Sequence, residues 1–573
     1  MTASAFVLPA ILDVAAIGRW GCCCSLQQML ASMTSMAIVV VLALVLLINY
    51  WKNKKPFADI PMAPGNHWLY GHIHLFLQSE NFEEALTQIS HASKDGLVGL
   101  WAGKRPIVSV SDVDLARTIL QVSSQRHPPR LVLRFLYKFV GRYNLITLNG
   151  KEWKYHRDTV ASTFCPEFLQ ESQISMEQVA MTMVHSLQKQ IFANKKSKSL
   201  QIMDVEALMK MIAMDIFGRT ALSTDLGSCQ RLTPTPLVQA FEFLMEDQMD
   251  RLRSPLLPQH FFFSIPTRQN KRHQRERDLI RCFVADLLNE KRDILKDGDR
   301  DLLSHLIQAH ASTTLEQRRQ LRAQDISDEA LTDVLMTLLL AGHHTISATL
   351  TFCLYLLAQH PDQQTICQEE IQTVLATTAT AENDNTTVLH NHNMYPYCSA
   401  VLTETLRIFP PAIRTSRYLD RPVKLERTHA GGGVFVAPTG TRVHIPIWSI
   451  HHDNHVFPQA ESFRPDRWAM RSNTLGNNDD DNTNPPSRRW IERPPSDTTG
   501  TIPAGNRNAM LAFSAGARSC VGRNFAMQEA VLVLVTLLQH LELQLVPGYQ
   551  LQTSTRNFLL RPKGPLPLLV STR

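Results

Sequence analysis

The longest apolar run in the chain spans residues 30–51 (LASMTSMAIVVVLALVLLINYW) and carries no charged side chain. At ~1.5 Å per residue a helix of this length reaches roughly 33 Å, enough to cross a bilayer core. Tyr50 and Trp51 sit where interfacial aromatics belong, and Lys52, Lys54 and Lys55 follow at once, against Arg19 on the other side. The positive-inside rule then places the body of the protein in the cytosol. A second apolar stretch, Ala5 to Gly18, is broken by Pro9 and Asp13. It leaves residues 1–29 open to two readings, a targeting segment or a membrane-associated piece. Pro56, Pro61, Pro64 and Gly65 punctuate a non-helical linker over 52–65.

From about residue 80 to 470 long amphipathic runs predict mostly helix. A strand-rich patch is expected over 433–446, where Thr441-Arg442-Val443-His444-Ile445 alternates beside Pro438 and Gly440. The clearest helix runs from Ser327 to His360. Ser327 can cap it, Asp328 and Glu329 suit its positive end, and His360-Pro361 stops it. It is apolar nearly all round near Leu338, which predicts burial. Residues 472–509, rich in Asn, Asp, Pro and Thr, read as a surface insertion, and 376–393 as a shorter polar loop. The pattern predicts a mainly α fold with small β-sheets, a transmembrane helix near the N-terminus, and one large catalytic domain over 66–573.

Composition changes this picture little. The 573 residues are 44% hydrophobic and 19% charged, with net charge +6. No zinc-finger or RNA-binding spacing accompanies the mild basicity, so nucleic acid is not an expected partner. The 10 cysteines do not form a disulfide framework. The run Cys22–Cys24 reads equally as a palmitoylation site or an unmodified apolar patch. The pairs His343–His344 and His451–His452 are not expected to clamp a metal, because adjacent helical residues diverge by about 100°.

The candidate chemistry lies in Phe513-Ser514-Ala515-Gly516-Ala517-Arg518-Ser519-Cys520-Val521-Gly522. A glycine-containing loop delivers one cysteine and then opens a helix, Asn524 to Leu541. Backbone N–H groups and a helix N-terminus favour a thiolate. Gly516 and Gly522 let the backbone approach a flat cofactor, and Arg518 can pair with an acidic group on it. This loop resembles that of the cytochrome P450 family, F-x-x-G-x-R-x-C-x-G, at all five fixed positions.

Further segments fall in the family's order. Trp153 and Arg157 share a helix face. Ala341-Gly342-His343-His344-Thr345 resembles the oxygen-binding motif A-G-x-D/E-T. There Gly342 is expected to leave room over the iron, and the Thr345 hydroxyl to bond the Ala341 carbonyl and locally open the helix. His344 replaces the family's acid; histidine can also relay protons near neutral pH. Glu404-Thr-Leu-Arg407 and Phe463-Arg-Pro465-Asp-Arg467-Trp468 resemble the segments that form a buried Glu404–Arg407–Arg467 triad behind the haem. Such a group is sensible only if every member is paired. The run from Ile445 to Asp453 looks most like microsomal members, including the fatty-acid ω-hydroxylase branch.

The resemblance implies haem b, with Cys520 on iron. Trp153, Arg157, Arg417, Phe513, Gly516, Arg518 and Gly522 would bind the cofactor, and Ala341, Gly342, His344 and Thr345 would serve catalysis. It implies a monooxygenase that places one oxygen atom from O2 into a lipophilic molecule. No dinucleotide fingerprint or ferredoxin cysteine set is evident, so electrons are expected from a separate NADPH-cytochrome P450 reductase-like partner. The expected address is the endoplasmic reticulum membrane, single-pass, with another organelle membrane as alternative. Loss of the acid at His344 keeps a hydroperoxide isomerase or dehydratase open; a non-catalytic haem protein is the remaining rival. Phe261-Phe262-Phe263 reads either as a bilayer-dipping patch or as a core triplet.

Overall fold

The computed structural model describes Ala37, Val40, Val41, 60–65, 71–72, 87, 89–90 and, from 96 onward, all but 103–104, 128–135, 194–200, 254–264, 295–300, 312–326, 380–391, 427–432, 472–489, 493–505 and 556–558. The extension 1–29, nearly all of the 30–51 segment and the Phe261–Phe263 patch therefore lie outside the described residues. Ala37, Val40 and Val41 are helical and exposed.

The described chain is mainly helical with small sheets. Helices α1 (Val113–Val122), α2 (Gly150–Thr163), α3 (Pro166–Ala193), α4 (Val205–Leu222), α5 (Pro236–Arg253), α6 (Arg268–Ile294) and α7 (Leu302–Ala311) precede the central helix α8 (Asp328–Gln359). After it come α9 (Pro361–Ala379), α10 (Pro396–Ile408) and, following the cysteine loop, α11 (Arg523–His540). The Ser327 hydroxyl oxygen caps α8 by accepting from the Ala330 N–H at 3.2 Å. The His360 N–H closes the other end on the Leu356 carbonyl at 2.9 Å. Among the described residues α8 is the helix long and apolar enough to cross a membrane, and it is mostly buried in the protein. It packs against α4, α6, α10 and α11, and α11 packs against α3.

Strands β1 (Leu97–Ala102) and β2 (Arg105–Val110) form an antiparallel hairpin inside the stretch expected to be mostly helical. Leu97, Val98, Leu100 and Trp101 are all buried. With both faces covered there is no period-two alternation to read. The hairpin joins β7 (Arg442–Ile445), parallel to β2, and then β4 (Thr415–Tyr418), in the order β1-β2-β7-β4. Strands β5 (Val423–Glu426) and β6 (Val434–Ala437) make a separate pair. A further sheet orders β10 (Leu541–Leu545), β13 (Pro567–Thr572) and β3 (Gln201–Asp204), and β11 (Thr553–Ser554) pairs with β12 (Arg561–Pro562).

Two boundaries differ from expectation. Helix α9 runs to Ala379, so 376–379 of the expected polar loop are helical. The Thr377 hydroxyl donates back to the Thr373 carbonyl at 3.0 Å, which suits a polar residue on an outer face. Within the 472–509 insertion, β9 (Trp490–Glu492) pairs with β8 (Ala469–Arg471), and the Trp490 ring lies 4.3 Å from that of Tyr397. One aromatic anchor pins a strand that the surrounding polar composition hides.

Candidate active site

The cysteine loop is held by its own backbone. The Ser514 N–H donates to the Leu511 carbonyl at 2.7 Å, and the Cys520 N–H to the Phe513 carbonyl at 2.9 Å. A 3-10 turn spans Gly516–Arg518, and Gly522 is the N-cap of α11. Burial is the largest influence on the Cys520 thiol and pushes it up, opposed by the Gly522 N–H and the Arg157 and Arg523 charges. Yet Cys520 is exposed. The thiol is therefore reachable from outside the loop although protein surrounds much of it. A coordinated metal ion would remove the thiol proton outright.

The glycines serve the loop differently from expectation. Gly516 has φ +68°, and an added Cβ would lie 2.0 Å from the Leu120 carbonyl oxygen at the end of α1. Its bareness serves the approach of two protein backbones. At Gly522 a Cβ would make ordinary contact with Phe164 at 3.6 Å.

Arg518 anchors the loop to the segment before α2. Its guanidinium donates to the carbonyls of Ser124 at 2.7 Å, Leu145 at 3.0 Å and Leu148, and to Asn149 Oδ1 at 3.1 Å. It also lies 3.9 Å from the ring centre of buried Trp153. Arg157, one turn further along α2, donates to the Ser519 carbonyl at 2.6 Å. Arg417 on β4 donates to the Ser123 carbonyl at 3.1 Å and reaches Ser514 Oγ at 3.4 Å. Arg523 lies 5.5 Å from the ring centre of Phe513.

These arginines repel one another. Burial, then Arg126, Arg417 and Arg157, pushes Arg518 down to about 8. Burial and Arg126 push Arg417 down to about 9, and burial and Arg157 push Arg126 down to about 10. A guanidinium keeps its proton; burial is the larger cause of each drop, and the neighbouring arginines add a repulsion that an anion would relieve. Among the described residues no carboxylate acts on Arg126, Arg417 or Arg518, and Arg126 Nε is buried without a partner. Beside an accessible Cys520, this donor set fits a planar metal cofactor bearing carboxylates. Arg126 was missed from the sequence because it stands in no recognisable spacing.

The centre of α8 interrupts a helix that is otherwise buried. Ala341 is exposed, and Leu340, Gly342 and Thr345 are half-buried. The Thr345 hydroxyl donates to the Ala341 carbonyl at 2.7 Å. Gly342 points elsewhere: its Cβ would lie 3.2 Å from the Phe217 ring of α4. Its bareness lets α8 approach α4 closely. His344 is buried toward α4 and α5, with Nδ1 3.6 Å from Glu242 Oε1. Burial outweighs the attraction of Glu242 and pushes His344 down to about 4, so it is neutral at pH 7.

Behind the loop the structure brings Glu404, Arg407 and Arg467 together, all buried. Glu404 Oε1 accepts from Arg407 Nη2 at 2.9 Å, Arg467 Nε at 3.1 Å and the Arg464 N–H at 3.1 Å. Its Oε2 accepts from Arg407 Nε at 3.0 Å and Trp468 Nε1 at 2.8 Å. His451 joins this cluster to the loop. Its Nδ1–H donates to the Arg407 carbonyl at 3.1 Å, and its Nε2 accepts from the Leu511 N–H at 3.0 Å.

A family model described as cytochrome P450 matches residues 61–569. Proteins of similar sequence include cytochrome P450 4A24 of Sus scrofa, 24% identical over 89% of this chain and 90% of its own length. Cytochrome P450 4Z1 of Homo sapiens is 25% identical over 83% and 84%. The taurochenodeoxycholic 6 alpha-hydroxylase of Sus scrofa is 24% identical over 83% and 84%.

Proposed function

From membership of the cytochrome P450 family, the oxidoreductase family of haem b monooxygenases to which this chain belongs, we propose that Cys520 is the thiolate ligand of the iron and that the substrate is a lipophilic small molecule such as a fatty acid or sterol. The observation that carries this reading is the mutually repelling cluster of Arg126, Arg157, Arg417 and Arg518 around an accessible Cys520.

When bound, haem b supplies the activation of O2 that delivers one oxygen atom to a C–H or C=C bond. The chain's own residues do the rest. The Gly522 N–H and the Arg157 and Arg523 charges stabilise negative charge on the Cys520 sulfur. Arg126 and Arg417 would receive the propionate carboxylates, while Arg518, stacked on Trp153, ties the loop to α2. Thr345, with its hydroxyl committed to the Ala341 carbonyl, keeps a hydrogen-bonding oxygen at the exposed centre of α8 and can hold a water there.

Electrons come from a separate NADPH-cytochrome P450 reductase-like partner. Residues 30–51 anchor the domain over 66–573 to the endoplasmic reticulum membrane, with the 52–65 linker between them and the catalytic domain in the cytosol. The name of the hydroxylase relative concerns a bile acid, a substrate of the same lipophilic class.

The test is the absorbance spectrum of the reduced, CO-bound holoprotein, parent beside Cys520→Ser. A red-shifted thiolate-type Soret band in the parent, absent in the variant, is expected. A band of the histidine-ligated type in the parent would overturn the assignment.

A further inference from the structure

Away from the cysteine loop, helices α4, α5 and α8 enclose a small polar cluster in an apolar core. Glu242 on α5 and His343 and His344 on α8 each offer one ligand atom, and these atoms lie within 4.8 Å of one another. We propose that Glu242, His343 and His344 form a divalent metal site, best suited to zinc, distinct from the haem iron.

Unsatisfied atoms point to a ligand. His343 and His344 are buried, at 0% and 9% exposure. His343 Nδ1, His344 Nε2 and Glu242 Oε1 are all buried without a hydrogen-bond partner. Unpaired buried atoms on the neighbouring His343 and Glu242 side chains call for a shared ligand, toward which His344 would present its Nδ1. His344 Nδ1 and Glu242 Oε1 are 3.6 Å apart. That is too long for a hydrogen bond but close to the edge of a tetrahedron, about 3.3 Å for bonds of ~2.0 Å to zinc.

The outer contacts match those of a metal ligand set. His343 Nε2–H donates to the Lys210 carbonyl of α4 at 3.1 Å. This fixes the tautomer and leaves the Nδ1 lone pair free, as metal-bound histidines commonly require. Glu242 Oε2 accepts from Lys210 Nζ at 2.9 Å, which leaves Oε1 for the ion. Two imidazoles and one carboxylate suit zinc and leave a fourth position for water. Despite the ~100° divergence of adjacent helical side chains, one ligand atom from each histidine comes within 4.8 Å of the other and of Glu242. The two rings sit 4.5 Å apart with their planes tilted by 57°.

The test uses full-length, haem-loaded protein stripped with chelator and equilibrated with zinc chloride. Metal is counted per chain by mass spectrometry, with the haem spectrum as a separate check of fold. The parent should retain about one zinc that His343→Gln and Glu242→Gln each weaken by more than the ~10–100-fold typical of losing an outer-shell partner. X-ray absorption at the zinc edge of the parent alone should show nitrogen and oxygen neighbours near ~2.0 Å, two of them imidazole. Zinc retention unchanged in both variants, no zinc above the double variant, or a sulfur shell near ~2.3 Å would each overturn the site. None of these readouts depends on Cys520.

Discussion

Replacing Glu404 by Gln should uncouple the structure behind the cysteine loop. The carboxylate accepts from Arg407, Arg467, Arg464 and Trp468, and the Arg407 and Arg467 side chains are 0% and 1% exposed. The substitution keeps the volume but leaves two guanidiniums buried without a counter-charge and turns an amide N–H2 toward donors. Removing one partner of a buried ion pair typically costs about 3–5 kcal/mol. Against a total stability of about 5–15 kcal/mol, that shifts the folding equilibrium by roughly two to four powers of ten. Urea unfolding of holoprotein, followed by the haem band and by proteolytic susceptibility, measures it. Glu461→Gln, at an exposed carboxylate of the neighbouring turn, should stay within about 0.5 kcal/mol of the parent. If the Glu404 variant unfolds within about 1 kcal/mol of the parent, the network is not holding the loop and the reasoning fails.

Gly516→Ala should lower the fraction of protein that retains haem. It combines a φ of +68° with a Cβ 2.0 Å from the Leu120 carbonyl, where the left-handed backbone alone costs about 1–2 kcal/mol; haem content equal to the parent would refute it. Burial pulls the Asp247 carboxyl up, but hydrogen bonds from His273, Arg251 and Gln269 together hold it below the usual carboxylate value. Its stabilisation is therefore full above the unfolded value of about 4 and fades as pH falls through the lower folded one. Asp247→Asn should lose stability at pH 7 and converge with the parent in acid, as read by denaturation midpoints across pH. His451 is pushed down to about 3 by burial, His452 and Arg407, so below pH ~6.5 the unfolded chain gains a proton that the folded one refuses. The parent should lose up to about 1.4 kcal/mol per pH unit more than His451→Gln between pH 6 and 4, and identical slopes would sink that reading.

The central helix was legible to its caps. Ser327, the acidic first turn and His360-Pro361 are local signals, and the structure uses them at those positions. The hairpin of β1 and β2 was not legible, because burial on both faces erases the alternation that marks a strand. The bond from Thr345 to the Ala341 carbonyl followed from spacing alone, since i and i−4 meet on any helix. The surroundings of Gly342 and Gly516 did not follow. A glycine in a motif says that room is needed, but not whether the neighbour is Phe217, the Leu120 carbonyl or a cofactor.

Long-range convergence was the least visible feature. Arg126 comes from the chain after α1, Arg157 from α2, Arg417 from β4 and Arg518 from the loop itself. Nothing in any one segment announces that the four charges share a site. Each alone would be an ordinary arginine; together, with Arg417 and Arg518 buried and Arg126 and Arg157 half-buried, they carry a repulsion that a dianion would relieve. The same logic runs through Glu242, His343 and His344, which a sequence reading discards as a pair and the fold restores as a trio. In both places the chain holds strain that only a bound partner relieves, so affinity there is set by how much repulsion or unmet hydrogen bonding is cancelled. The partner-free protein should accordingly be less stable wherever these groups converge, and each ligand should stabilise the fold by its own binding free energy, independently of the other, because the arginine cluster and the α4–α5–α8 cluster share no side chain.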